Sequence, residues 1–186
     1  DDGAVEAGKG LFSLEPFLVD QDRFISWHEV SAIPSLDEGD LPIPSVTWTA
    51  SRLTLQITAV GAGPAERSSA VVRYRVVNRD TVRHSPTLAL AIRPFQVNPP
   101  SQFLNTPGGW SRIDSLRWSG GALHVNADRT VQPLTAPVSV SMSTLDSDDL
   151  VQLIRRATRA GAISTSDPQG TASAVLRYPL LLAPGD

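Results

Sequence analysis

The chain has 186 residues, a formal net charge of −3 at pH 7, and 41% hydrophobic against 19% charged residues. That balance is too apolar and too weakly charged for disorder, and it supplies enough core to offset chain entropy. The mild acidity gives no electrostatic reason to approach nucleic acid or an anionic membrane, and no apolar run approaches the roughly 18 residues that a membrane-spanning helix requires.

The first residues, Asp1-Asp2-Gly3-Ala4, lack an initiator Met and the charged-then-apolar pattern of a signal peptide. Residues 1–186 are therefore expected to be one domain inside a longer polypeptide. A first strand is expected over 24–30 and a second over 45–50. Over 52–60, Leu53, Leu55, Ile57 and Ala59 alternate with Thr54, Gln56 and Thr58, the two-residue period of a half-buried strand. Over 70–77, Val72, Tyr74 and Val76 share one face and Arg73 and Arg75 the other. Asn78-Arg79-Asp80 follows and suits a short hairpin turn. The next strand, 87–95, is apolar on both faces, with Leu88, Leu90 and Ile92 against Ala89 and Ala91, and should lie centrally.

Residues 94–111 hold Pro94, Pro99, Pro100, Pro107, Gly108 and Gly109, and read as a long ordered loop of the kind that carries function. Strands over 115–119 and 122–126 flank Gly120-Gly121 as a hairpin, and further strands are expected over 138–143 and 172–182. One helix stands out, with Ser147 as cap, Asp148 and Asp149 in its first turn, an apolar stripe of Leu150, Leu153, Ile154 and Ala157, and Gly161 beyond Arg155, Arg156 and Arg159. About ten short strands with one surface helix predict an all-β fold, a two-layer antiparallel β-sandwich.

Local catalytic signatures are absent: no G-x-S-x-G elbow, H-E-x-x-H pair or phosphate-cradling glycine loop occurs. With no cysteine there is no thiolate nucleophile and no Cys-based metal site, while the compartment stays open because exported proteins also lack Cys. His28, His84 and His124 have no metal-ligand spacing. The acidic clusters Asp37-Glu38 with Asp40, and Asp146 with Asp148 and Asp149, read as a solvated loop and a helix N-terminus. No metal, cofactor or catalytic residue is expected.

Of the four tryptophans, Trp48 alternates with Val46 as a core residue, and Trp27 faces either the core or a partner. Trp118 ends a strand before Gly120, and Trp110 follows Pro107-Gly108-Gly109 in the long loop as the best exposed aromatic. Trp110 and Trp118, with Asn98, Asn105 and Arg112 as polar neighbours, form the candidate surface for docking a domain or holding a glycan.

The stretch from Leu90-Ala91-Ile92-Arg93-Pro94-Phe95-Gln96-Val97-Asn98-Pro99-Pro100 through Gln102-Phe103-Leu104-Asn105-Thr106-Pro107-Gly108-Gly109 resembles a segment of large bacterial proteins described as discoidin or coagulation factor 5/8 type domain proteins. Pro16-Phe17-Leu18-Val19, Leu41-Pro42-Ile43-Pro44-Ser45-Val46 and the closing segment 178–185 are similar to the same family. The resemblance implies a supersandwich, galactose mutarotase-like fold that precedes a helical (α/α)6 toroid in the same polypeptide. There the catalytic carboxylates belong to the toroid, so none is carried over to this chain. The implied role is a non-catalytic structural and docking module of a glycoside hydrolase-like or phosphorylase-like protein, with the compartment left open between periplasm, secretion and elsewhere. The alternatives are a carbohydrate-binding module that uses its exposed tryptophan, and a mutarotase-like epimerase pairing His124 or His28 with Glu29 or Asp114.

Overall fold

In a computed structural model, the described residues are 2–37, 41–64, 67–97, 109–147, 149–155 and 164–186. They fall into two compact units interleaved in sequence, one from Asp1–Val5, Pro16–Leu88 and Leu180–Asp186, the other from Glu6–Glu15 and Ala89–Pro179. In chain order the strands are β1 (Val5–Glu6), β2 (Ser13–Asp20), β3 (Arg23–Ile25), β4 (Ser31–Asp37), β5 (Leu41–Ala50), β6 (Leu53–Ala62), β7 (Ser69–Asn78) and β8 (Thr87–Arg93). They continue as β9 (Ser115–Ser119), β10 (Ala122–Val125), β11 (Arg129–Val131), β12 (Ser139–Ser143), β13 (Ser164–Ser166) and β14 (Ser173–Pro179), with one helix, α1 (Leu150–Arg155), before β13. The chain is thus of the all-β sandwich class, with one short α-helix and three sheets among the described residues.

The sheet β4-β5-β6-β7 lies wholly in the first unit and is antiparallel throughout. Its period-two pattern is the one read from the sequence: Trp48 pairs with Leu55, and Leu55 with Val76, on the face that buries Trp48, Leu55 and Ile57. Gly3 closes over that face at φ +97°, where an added Cβ would stand 2.8 Å from Trp48 Nε1. The indole donates to the Asp2 carbonyl at 2.7 Å, so the buried Trp keeps its polar handle satisfied. In the same unit the Leu18–Asp20 end of β2 pairs with β3 as a hairpin, and Phe17 and Phe24 stack at 5.3 Å.

In the second unit β11-β10-β9-β13 form an antiparallel sheet that buries Leu116, Leu123 and Val125. Its β9–β10 hairpin turns on Gly120 and Gly121, both at positive φ as the turn demands. The remaining sheet has the order β1-β2-β8-β14-β12 with β3 on β2, and β8 is an inner strand, as its two apolar faces imply.

Three local expectations are corrected. The strand expected over 24–30 stops at Ile25, and Trp27–Glu29 make a 3-10 turn. Ser26 and Glu29 form a reciprocal capping box there, satisfying backbone donors that a strand would have paired. Asn78-Arg79-Asp80 joins no hairpin, because β7 and β8 belong to different sheets. The α1 cap is Asp149, whose carboxylate accepts from Val151 N at 3.1 Å, while Ser147 bonds instead with Thr144. Leu153 and Ile154 are buried as expected, and Asp148, Arg156, Ala157, Arg159 and Gly161 lie outside the described residues.

Candidate functional site

The long loop begins and ends on a short pinned neck in the second unit. Gln96 N donates to Gly109 O at 2.9 Å and Ser111 N to Pro94 O at 2.9 Å, and Phe95 faces Trp110 in an antiparallel bridge. Residues opposed across such a bridge project to the same side. The two large side chains therefore leave the backbone on one side, Phe95 36% and Trp110 42% exposed. Beside each is a guanidinium: Arg93 lies 4.7 Å from the Phe95 ring centroid and Arg112 lies 5.9 Å from that of Trp110. A recess lined by Pro94, Leu145 and Leu150 among others lies beside Phe95.

The surroundings bond to this patch at several points. Arg93 Nη1 reaches Glu15 at 2.8 Å, and Arg112 Nη2 bonds Asp114 and the Pro168 carbonyl, the latter at 2.8 Å. Trp110 Nε1 donates to Gly170 O at 3.3 Å, an oxygen that also accepts from Ile113 N at 2.9 Å. Gly170 is placed by the turn that Asp167 organises. The Asp167 carboxylate, buried, accepts from the Gln169 and Thr171 amides and from the Thr171 hydroxyl. Those donors, the Thr171 hydroxyl foremost, hold its carboxyl below the usual range. Gly170 itself sits at φ +78°, with an added Cβ only 3.0 Å from Arg112 Cβ. Asn126 completes the frame, accepting from Asp114 N and donating to Arg112 O.

Of the residues singled out in the sequence, the fold brings Trp110 and Arg112 together. Trp118 is half-buried on β9, opposite Leu123, with no bond or ring contact to Trp110. Asn98 and Asn105 lie outside the described residues. Trp48 is core, 1% exposed, whereas Trp27 is exposed on the 3-10 turn with its ring edge against His28. Sequence reasoning missed Phe95 and Arg93, because the strand pattern absorbed them. It also missed Gly170, whose Asp-Pro-Gln-Gly turn was the available signal.

A second cluster, in the first unit, was likewise missed. His84 Nδ1 lies 3.0 Å from Asp20 Oδ2, and His84 Nε2 lies 2.9 Å from Asp80 Oδ2. Arg52 Nη1 reaches the same Asp80 oxygen at 2.9 Å. The two histidines considered for an epimerase meet no carboxylate in hydrogen-bond geometry: His28 contacts Trp27, and His124 Nδ1 lies 3.5 Å from the Thr130 hydroxyl. Among the described residues no group of three or more His, Cys, Asp or Glu side chains is arranged to hold a metal ion. No protein-family model matches the chain, and no curated protein sequence is significantly similar to it.

Proposed function

We propose that the chain is a non-catalytic structural and docking module of a carbohydrate-active protein, seating a neighbouring helical domain of the (α/α)6 kind on the Phe95–Trp110 face. The observation that carries this reading is the ring pair itself: two large part-exposed aromatics, each with a guanidinium alongside, on a backbone pinned by two main-chain bonds. Trp and Arg dominate the energetics of protein interfaces, and a rigid patch loses little entropy on association.

Docking is favoured over sugar binding by how these groups are already engaged. A glycan ring stacks on an open aromatic face and bonds to polar atoms at its edge. Here Arg93 lies over Phe95, Arg112 approaches Trp110, and Trp110 Nε1 is committed to Gly170 O. The groups that an epimerase would need are also occupied, Glu29 by Ser26 and Asp114 by Arg112.

The chain should neither turn over substrates in a glycosidase and phosphorylase panel nor be captured on a glycan array. Glycan capture abolished by Trp110→Ala would replace the proposal with the carbohydrate-binding alternative. Turnover by the chain alone would overturn the non-catalytic assignment.

A further inference from the structure

His84 stands where the stretch after β7 meets the closing segment Leu180–Asp186. Its main chain exchanges both hydrogen bonds with Leu182, at 3.0 and 2.9 Å, and Leu180 N donates to Pro86 O at 2.8 Å. Its side chain is 10% exposed, between the carboxylates of Asp20 on β2, 18% exposed, and Asp80, 13% exposed.

This bracket has a chemical requirement. A neutral imidazole carries one N–H, so it can donate to one of the two carboxylates and must turn a lone pair toward the other. Both contacts, at 3.0 and 2.9 Å, are attractive together only when both ring nitrogens carry hydrogen. The alternative of protonating Asp80 is opposed by Arg52, which shares the same oxygen. The charged groups facing the ring are thus Asp20 from β2 and Asp80 from the following loop, with Arg52 from the β5–β6 turn behind Asp80. The closing segment meets His84 through its backbone, and its own carboxylate, Asp186, accepts from Ala183 N.

We propose that the Asp20–His84–Asp80 bracket is a proton-operated latch, closed by the imidazolium, that holds the Leu180–Asp186 segment and releases it as the solution turns alkaline. The bond to Asp80 raises the His84 pKa above its ordinary value, with Asp20 adding to the effect. Asp80 is held low, at about 2, chiefly by His84. A group with a raised folded-state pKa contributes its stabilisation fully below its unfolded value, about 6.5, and loses it as pH rises through the folded value. The latch therefore weakens on the alkaline side.

The test follows the His84 ring by NMR between pH 5 and 10, together with amide-exchange protection factors for His84 and Leu182 in the whole chain. The ring should titrate above the ordinary histidine value. Protection at both amides should fall through the same pH range, by about tenfold for each unit of upward shift. Asp20→Asn removes one anion while keeping the side-chain shape, so the titration should move down and the fall in protection shrink. His84→Gln should abolish the pH dependence of protection altogether. A ring titrating at or below the ordinary value, protection that stays flat, or an Asp20→Asn profile identical to the parent would each overturn the latch.

Discussion

Asn78 offers the sharpest test of how the first unit is held together. It is fully buried at the end of β7, yet it is polar, so its side chain must be satisfied internally. The amide nitrogen donates toward the carbonyls of Val82 at 2.8 Å, Ala183 at 3.1 Å and Leu182 at 3.2 Å, and its oxygen accepts from Asp80 N at 2.9 Å. Two N–H hydrogens cannot fully serve three carbonyls, so the side chain is equivalent to about three good bonds. Asn78→Ala removes the bonds to Val82 O, Ala183 O and Asp80 N, while Leu182 O keeps its bond from His84 N. Because Val82 is 53% exposed and admits water nearby, the low end of about 1 kcal/mol per orphaned group applies, giving a loss of about 3 kcal/mol. For a domain stable by roughly 5–15 kcal/mol that is a large fraction. Asn78→Asp separates donor from acceptor: it keeps the oxygen facing Asp80 N but turns a second oxygen on three carbonyls. At pH 7 it should destabilise more than alanine does. Its buried carboxyl would bind a proton more readily folded than unfolded, so this variant should regain stability relative to the parent as pH falls. Urea unfolding followed by tryptophan emission, with m-values compared, reads both. A loss under about 1 kcal/mol for Asn78→Ala, or an Asn78→Asp variant no worse than it at pH 7, would refute the reasoning.

Trp48→Ala should cost about 3–5 kcal/mol in the same assay, since it empties a fully buried site and removes the indole's bond to the Asp2 carbonyl. Gly170→Ala forces a left-handed backbone on an L-residue and crowds Arg112, so about 1–2 kcal/mol should be lost, together with a shift in Trp110 emission. Asp80 and Asp167 both have lowered carboxyl pKa values. Their stabilisation should be present above an unfolded value of about 3.9 and lost as pH falls through the folded values, and Asp167→Asn should flatten part of that acid loss.

Strands packed on one face were legible in the sequence, because a core requires alternating side chains: β6 and β7 appear where their alternation placed them, within one or two residues. What periodicity could not reveal was local competition for backbone hydrogen bonds. Ser26 and Glu29 take donors by capping and end β3, though Phe24, Ile25 and Trp27 look strand-like. Pro34 concealed β4, an outer strand of its sheet, where a missing N–H is tolerated. At the candidate site, Trp110 was legible as an aromatic after a Pro-Gly-Gly stretch. Phe95 was not, since its exposure depends on a bridge to a residue 15 positions away. His84 gave no signal beyond its i, i+4 relation to Asp80, because Asp20 reaches it from 64 residues earlier in the chain.

The docking proposal is tested most directly by calorimetric titration of the chain with a separately produced (α/α)6 helical domain of the kind that the proposal calls for. Saturable binding is expected, weakened at least about thirtyfold by Trp110→Ala, the loss of about 2 kcal/mol typical of an interface anchor. Binding that Trp110→Ala leaves unchanged, or no binding at concentrations where the unaltered chain remains folded, would contradict it.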